Sequence, residues 1–275
     1  MGITRGTIKL IAMTVGKAQA KRNVITFGVQ GVQSSYAEAK ESILESGLDG
    51  VELLGSEVVY DDVTQFGKTI HQTTLFRLLD FEVTESLDYF QDENPTHVVD
   101  LNMPLQESLH GQYSLVYDGG TMEHCFNPPQ VMMNAMALAK PGGRVIHHVP
   151  MNNWVDHGFY QFSPTLFFDF YSVNGFTELE MKIHLMGKKR ESFIRYNPRT
   201  DEPLPYSLGS KTRAMIFFSA TKPAAAGEIK FPIQGRYREL FGKEVLGSSK
   251  PRKGLIARMR RSWKKRSLKW TATSL

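Results

Sequence analysis

The residues able to do chemistry sit in two kinds of place. Five short β-rich runs each end on glycine, carboxylate or histidine. Gly28 and Gly31 follow Asn23 to Val29, Asp88 follows Val83 to Leu87, and Asp100 follows His97 to Val99. Asp118-Gly119-Gly120 follows Tyr113 to Tyr117, and His147-His148 lies within Arg144 to Val149. In an open α/β sheet, ligands bind outside the carboxyl ends of the strands. Glycine lets a ligand approach the backbone, and a carboxylate closing the second strand suits the two hydroxyls of a ribose, so the set predicts a nucleoside-binding site. The second place is His147 to Phe162, which supplies His147, His148, Asn152, Asn153, Trp154, His157 and Tyr160. Aromatic surface with a few polar groups is the usual lining of a small-molecule pocket, and histidine titrates near neutrality.

The elements that must position these residues read as strands alternating with helices. A glycine turn after the first strand leads into a helix from Tyr36 to Ser46, and Thr73 to Leu79 is a second short helix. Pro128-Pro129 opens a helix that Pro141-Gly142-Gly143 stops, and Ser163-Pro164 opens another that ends at Asn174-Gly175. Phe176 to Leu185 and Ala214 to Ala220 are strand-like, and the polar stretch between them reads as a long loop. Alternation closed by two consecutive strands predicts an open α/β sheet with an antiparallel hairpin at one edge.

Tyr113-Ser-Leu-Val-Tyr-Asp-Gly-Gly-Thr-Met-Glu-His124, then Phe126-Asn-Pro-Pro and Ala139-Lys-Pro-Gly-Gly-Arg-Val-Ile-His-His-Val-Pro150, resembles the fourth strand, following helix and fifth strand of class I S-adenosylmethionine (SAM)-dependent methyltransferases. The resemblance covers about residues 20–220. It implies a Rossmann-like sheet of about seven strands, mostly parallel, with an antiparallel edge and helices on both faces. It also implies SAM as cofactor, bound by Gly28, Gln30, Gly31, Asp88, Asp100, Leu101, Asn102, Asp118, Gly119 and Gly120. His124, His148, His157 and Tyr160 are the candidate catalytic residues for a small-molecule, glycan-precursor or lipid-linked acceptor; His147 reads as structural, its side chain opposed to that of His148. The family's first motif, an acid followed by Gly-x-Gly-x-Gly, is here Thr26-Phe27-Gly28-Val29-Gln30-Gly31, and an insertion of roughly 40–70 follows. The alternative is therefore a non-catalytic binding protein that keeps this fold without SAM. A NAD-dependent oxidoreductase would need a full Gly-x-Gly-x-x-Gly.

Composition sets the remaining bounds. The 275 residues carry a formal charge of +5, yet residues 228–275 hold 14 Lys and Arg against three acids, a surplus of +11, leaving −6 on the rest. The pattern divides the chain into an N-terminal helix (1–22), the main domain (23–225) and a basic tail (226–275). Ile256, Met259, Trp263 and Trp270 recur at helical spacing among Lys and Arg over 250–270, as in helices that lie on anionic membranes, with nucleic acid a lesser alternative. The single Cys125 forms no intramolecular disulfide and suits a reducing, cytoplasmic compartment, peripheral to membrane if the tail docks there. It reads as a buried small side chain. Met1 to Ala20 reads as a helix rather than a signal peptide, its apolar run being short and ended by Lys17. His124, His147, His148 and His157 offer no ligand pair on a recognisable helix, so no metal site is expected.

Overall fold

The structure is a computed structural model that describes residues 2–16, 22–61, 67–187, 191–201, 212–225 and 227–235. Residues 1–232 make one compact unit, and a division from a second unit falls at Ile233. The expected helix over 250–270 lies outside the described residues.

In the first unit, α1 (Arg5–Val15) is capped by Thr4, whose hydroxyl accepts from the Thr7 N–H, and β1 (Asn23–Phe27) follows. Helix α2 (Tyr36–Leu44) starts from a capping box: Ser35 accepts from the Glu38 N–H while the Glu38 carboxylate accepts from the Ser35 N–H at 2.9 Å, an arrangement worth about 1 kcal/mol. Then come α3 (Gln72–Leu78), β2 (Val83–Asp88), β3 (His97–Val98) and β4 (Tyr113–Asp118). Helix α4 (Pro128–Leu138), with prolines in its first turn where no N–H is needed, leads into β5 (Ala139–Asn152). The chain continues through α5 (Pro164–Val173), β6 (Thr177–Met186), β7 (Glu191–Arg195) and β8 (Arg213–Thr221).

The sheet has eight strands in the order β3-β2-β1-β4-β5-β8-β6-β7. Pairings from β3 to β5 are parallel, whereas β8 enters antiparallel between β5 and β6. About seven strands were expected; the eighth is β7, antiparallel to β6, in the stretch that reads as loop. The antiparallel edge is therefore the β6–β7 hairpin, with β8 one position further in.

Side-chain alternation sorts the core into two layers, one on each face. Ile25, Val116, Val145 and Phe218 pack with α4 and α5, while Val24, Leu115, Ile146 and Phe217 pack with α1, α2 and α3. The central parallel strands β1, β4 and the middle of β5 are buried on both faces, which is why they read as nearly continuous apolar runs, whereas β2 and β3 nearer the edge are partly exposed. Among the described residues, no helix is long and apolar enough to cross a membrane.

Candidate functional site

At the ends of the adjacent strands β1 and β2, Gly28 adopts φ +74° and donates its N–H to the Leu87 carbonyl at 2.7 Å. A Cβ at Gly28 would stand 2.9 Å from Thr121 Oγ1 and 3.7 Å from Asp88 Oδ2. Asp88 Oδ1 accepts from the Phe90 N–H at 3.1 Å, and the other oxygen is thus turned toward the space a side chain at 28 would fill. Gln30 is held from both ends: its N–H donates to Gln72 Oε1 at 2.8 Å and its Nε2 to the Phe27 carbonyl at 2.6 Å. Its Oε1 is buried without a hydrogen-bond partner and lies so near Gly119 that a Cβ there would be 2.1 Å away. Gly31 is exposed, and its carbonyl accepts from the Ile3 N–H at 2.8 Å.

Asp118, expected at the cofactor, is fully buried and does structural work. Its Oδ1 accepts from the N–H groups of Thr121 and Met122 at 3.0 and 3.3 Å, and its Oδ2 lies 2.8 Å from His147 Nδ1. His147 Nε2 is in turn 2.6 Å from the Tyr171 hydroxyl. Asp100 Oδ1 accepts from Asn102 N–H and Nδ2 at 2.9 and 2.7 Å, Asn102 Oδ1 from the Asn127 N–H at 2.9 Å, and the carbonyl of buried Leu101 from Asn134 Nδ2 at 3.0 Å. These three residues tie the loop after β3 to the start of α4. Gly119 and Gly120 form the turn that carries the chain from β4 to Thr121.

His148 does not join the site. It is buried on the opposite face of the sheet, its Nε2 3.0 Å from His184 Nδ1 and its ring beside Phe217. Burial, then the neighbouring His184, hold its pKa well below the usual histidine value.

His124, His157 and Tyr160 do converge, around a residue that sequence reasoning did not single out. Glu123 lies in a short 3-10 turn (Met122–His124) after β4 and is fully buried. Its carbonyl accepts from the N–H groups of Phe159 and Tyr160 at 2.8 and 3.3 Å, which fastens the loop after β5 to it. That loop is fixed again by Trp154, whose Nε1 donates to the Ala214 carbonyl at 3.1 Å. Glu123 Oε1 consequently lies 3.6 Å from His157 Nε2 and 3.9 Å from His124 Nε2. Burial, then the Asp118 charge, push the Glu123 carboxyl up to about 8, while burial holds both histidines below their usual value. The signal was present as Met-Glu-His124, but nothing local marks this glutamate as buried. Tyr160 donates its hydroxyl to the Phe126 carbonyl at 3.0 Å, and exposed Phe126 and Phe159 meet edge to face at 5.9 Å. Cys125 is half-buried, with its thiol pushed up to about 12 chiefly by burial, which makes it a poor nucleophile.

A separate cavity lined by Gly16, Arg22, Asp49, Leu78 and Asp80 lies at the opposite, amino-terminal end of β1. Arg22 spends its guanidinium there on the carbonyls of Val15, Gly16 and Leu79.

Sheet order and strand-end residues define a Rossmann-like α/β protein. No protein-family model matches the sequence, and no curated protein matches it. Solved structures similar to it include methyltransferases, some of them SAM-dependent. A Haemonchus contortus phosphoethanolamine N-methyltransferase 2 shares 11% identity over 78% of this chain and 52% of its own, with a TM-score of 0.42. A SAM-dependent methyltransferase of Thermotoga maritima shares 12% over 79% and 90%, at 0.38, and the CurJ carbon methyltransferase 11% over 78% and 54%, at 0.39. This chain thus spans about half the length of the first and third. At these values the likeness concerns fold alone.

Proposed function

We propose that the chain is a SAM-dependent methyltransferase acting on a small-molecule, glycan-precursor or lipid-linked acceptor. One observation carries the reading: Asp88 Oδ2 faces the side-chain-free flank of Gly28 at the ends of two adjacent parallel strands. A carboxylate beside a glycine in that relation suits a ribose, whose two hydroxyls donate to the carboxylate. The residues therefore fit the nucleoside end of SAM, and the exposed rings of Tyr89 and Phe90, just past Asp88, offer flat apolar surface for a base. When bound, SAM supplies a methyl group on a sulfonium, a leaving group already activated.

The chain's own share is alignment and exclusion of water. Trp154 and the Glu123 carbonyl hold the loop after β5 in place, so His157, Tyr160 and Phe159 stand fixed beside His124 and Phe126 as an acceptor wall. His124 and His157, held below the usual histidine pKa, are neutral at pH 7, and each keeps a lone pair at the wall. Exposed Phe126 and Phe159 suit an acceptor with an apolar part.

One feature favours a second reading, a binding protein that has closed its cofactor cleft: the Gln30 side chain occupies the space against Gly119. Calorimetric titration of the full chain with SAM, its demethylated product and NAD separates the two. SAM binding that weakens by roughly 1.5–3 kcal/mol in Asp88→Ala, the range for bonds to a charged group, supports the enzyme. No SAM binding, or unchanged affinity in that variant, overturns it.

A further inference from the structure

We propose that Glu123, His124 and His157 form a three-ligand site for a divalent transition-metal ion of the Zn²⁺ type, placed at the acceptor wall. Both Glu123 oxygens and His157 Nε2 are buried without a hydrogen-bond partner. Three orphaned polar atoms at one spot are unusual, because a buried polar group without a partner costs about 1–3 kcal/mol and more if charged. A cation satisfies all three at once.

The spacing suits one ion. One ligand atom from each residue lies within 4.8 Å of the other two, and the carboxylate sits 3.6 Å from one imidazole nitrogen and 3.9 Å from the other. Ligands bound at about 2.0–2.1 Å in a tetrahedral shell stand roughly 3.4 Å apart, so closing on the ion asks for a few tenths of an ångström between the carboxylate and each imidazole and for up to roughly 1.4 Å between the two imidazoles, which the exposed His124 ring can supply. Two imidazoles and one carboxylate select a borderline transition metal over Mg²⁺ or Ca²⁺, which take oxygen shells. Three protein ligands leave a coordination position open, as in reactive rather than structural sites. His124 is 47% exposed at its side chain, so that position is reached from solvent at the Phe126–Phe159 rim.

Binding of the ion does not depend on the methyl-transfer reading, but its task does: it would hold an acceptor oxygen at the wall and lower that oxygen's affinity for its proton.

The test is titration of chelator-treated full-length protein with ZnCl₂ and with MgCl₂ by calorimetry, and with CoCl₂ by visible absorption. The expected result is one Zn²⁺ per chain, a Co²⁺ spectrum of low coordination number, and no Mg²⁺ heat. Glu123→Gln, His124→Asn and His157→Asn should each weaken Zn²⁺ by about 100-fold or more, since loss of mere outer-shell partners costs about 10–100-fold. Glu123→Gln keeps shape and removes the carboxylate that the ion would bind, and exposed His124→Asn guards against a folding defect. Absence of stoichiometric Zn²⁺, or Zn²⁺ binding that all three variants retain, overturns the site. SAM titration of the same samples keeps the two readings apart: Zn²⁺ without SAM leaves the metal site and removes methyl transfer, and SAM without Zn²⁺ does the reverse.

Discussion

Replacing His148 by Gln should change how the protein responds to acid and leave its chemistry alone. His148 is buried against His184 at 3.0 Å and Phe217, and His184 Nε2 in turn faces the Glu191 carboxylate at 3.6 Å. Thr4 donates its hydroxyl to that same carboxylate at 3.0 Å, and the ring of Phe193 lies on His184. His148 therefore stays neutral in the folded chain well below the pH at which it protonates in the unfolded one, near 6.5. Below that pH the unfolded state binds a proton the native state refuses, so stability falls as pH falls and is fully present above about 6.5. With the native group neutral throughout, the loss approaches 1.4 kcal/mol per pH unit and amounts to about 2 kcal/mol between pH 8 and pH 5. Urea unfolding of both proteins at pH 8, 7, 6 and 5 measures it, because carboxylate contributions are common to the two and cancel in the difference. The wild type should lose about 2 kcal/mol more than His148→Gln over that range. Parallel curves would refute the reasoning, and a loss of turnover in His148→Gln at pH 8 would return His148 to the catalytic set.

Gly28→Ala combines a left-handed φ of +74° with a Cβ 2.9 Å from Thr121 Oγ1, so it should cost roughly 1–2 kcal/mol in urea unfolding and weaken SAM in calorimetry; an unaffected variant would mean that this turn tolerates side chains. Asp118→Ala strands His147 Nδ1 and two backbone N–H groups in the core, and a loss of roughly 3–5 kcal/mol is expected in the same unfolding assay, with wild-type stability the contrary result. Truncation before Lys250 should abolish co-sedimentation with anionic liposomes while SAM affinity stays unchanged; full-length protein indifferent to anionic lipid would dismiss the membrane surface as partner.

Legibility in the sequence followed how local each cause was. The central parallel strands β1, β4 and β5 declared themselves because they are buried on both faces, and prolines and glycine turns marked the helices between them. β7 was hidden: five residues, Glu-Ser-Phe-Ile-Arg, with both ends charged and most side chains outward, give no apolar run to detect. Alternation along β5 separated His147 from His148 correctly, but which of the two faces held chemistry depends on α5 and on β6, both distant in sequence. Neither histidine turned out to be open to a ligand. Glu123 is the clearest limit, since a glutamate in a short polar turn reads as surface until the loop carrying Phe159 and Tyr160 folds over it. Asp118 shows the converse: a carboxylate at a strand end looks available until the turn that follows it, and His147, take up its oxygens.

The double anchorage of the loop after β5 separates two things that enzymes often tie together. Its path is set by main-chain bonds to Glu123 and by Trp154, whereas Val155 and Phe159 are 79% and 68% exposed, and Phe126 beside them is 74% exposed. Exchanges at these three positions alter what the rim recognises without moving His157 or Glu123, because no bond of the anchorage passes through their side chains. On the proposed reading, recognition at the rim can diverge while His157 and Glu123 stay in register, and a library randomised at 126, 155 and 159 is the economical place to look for changed acceptor preference.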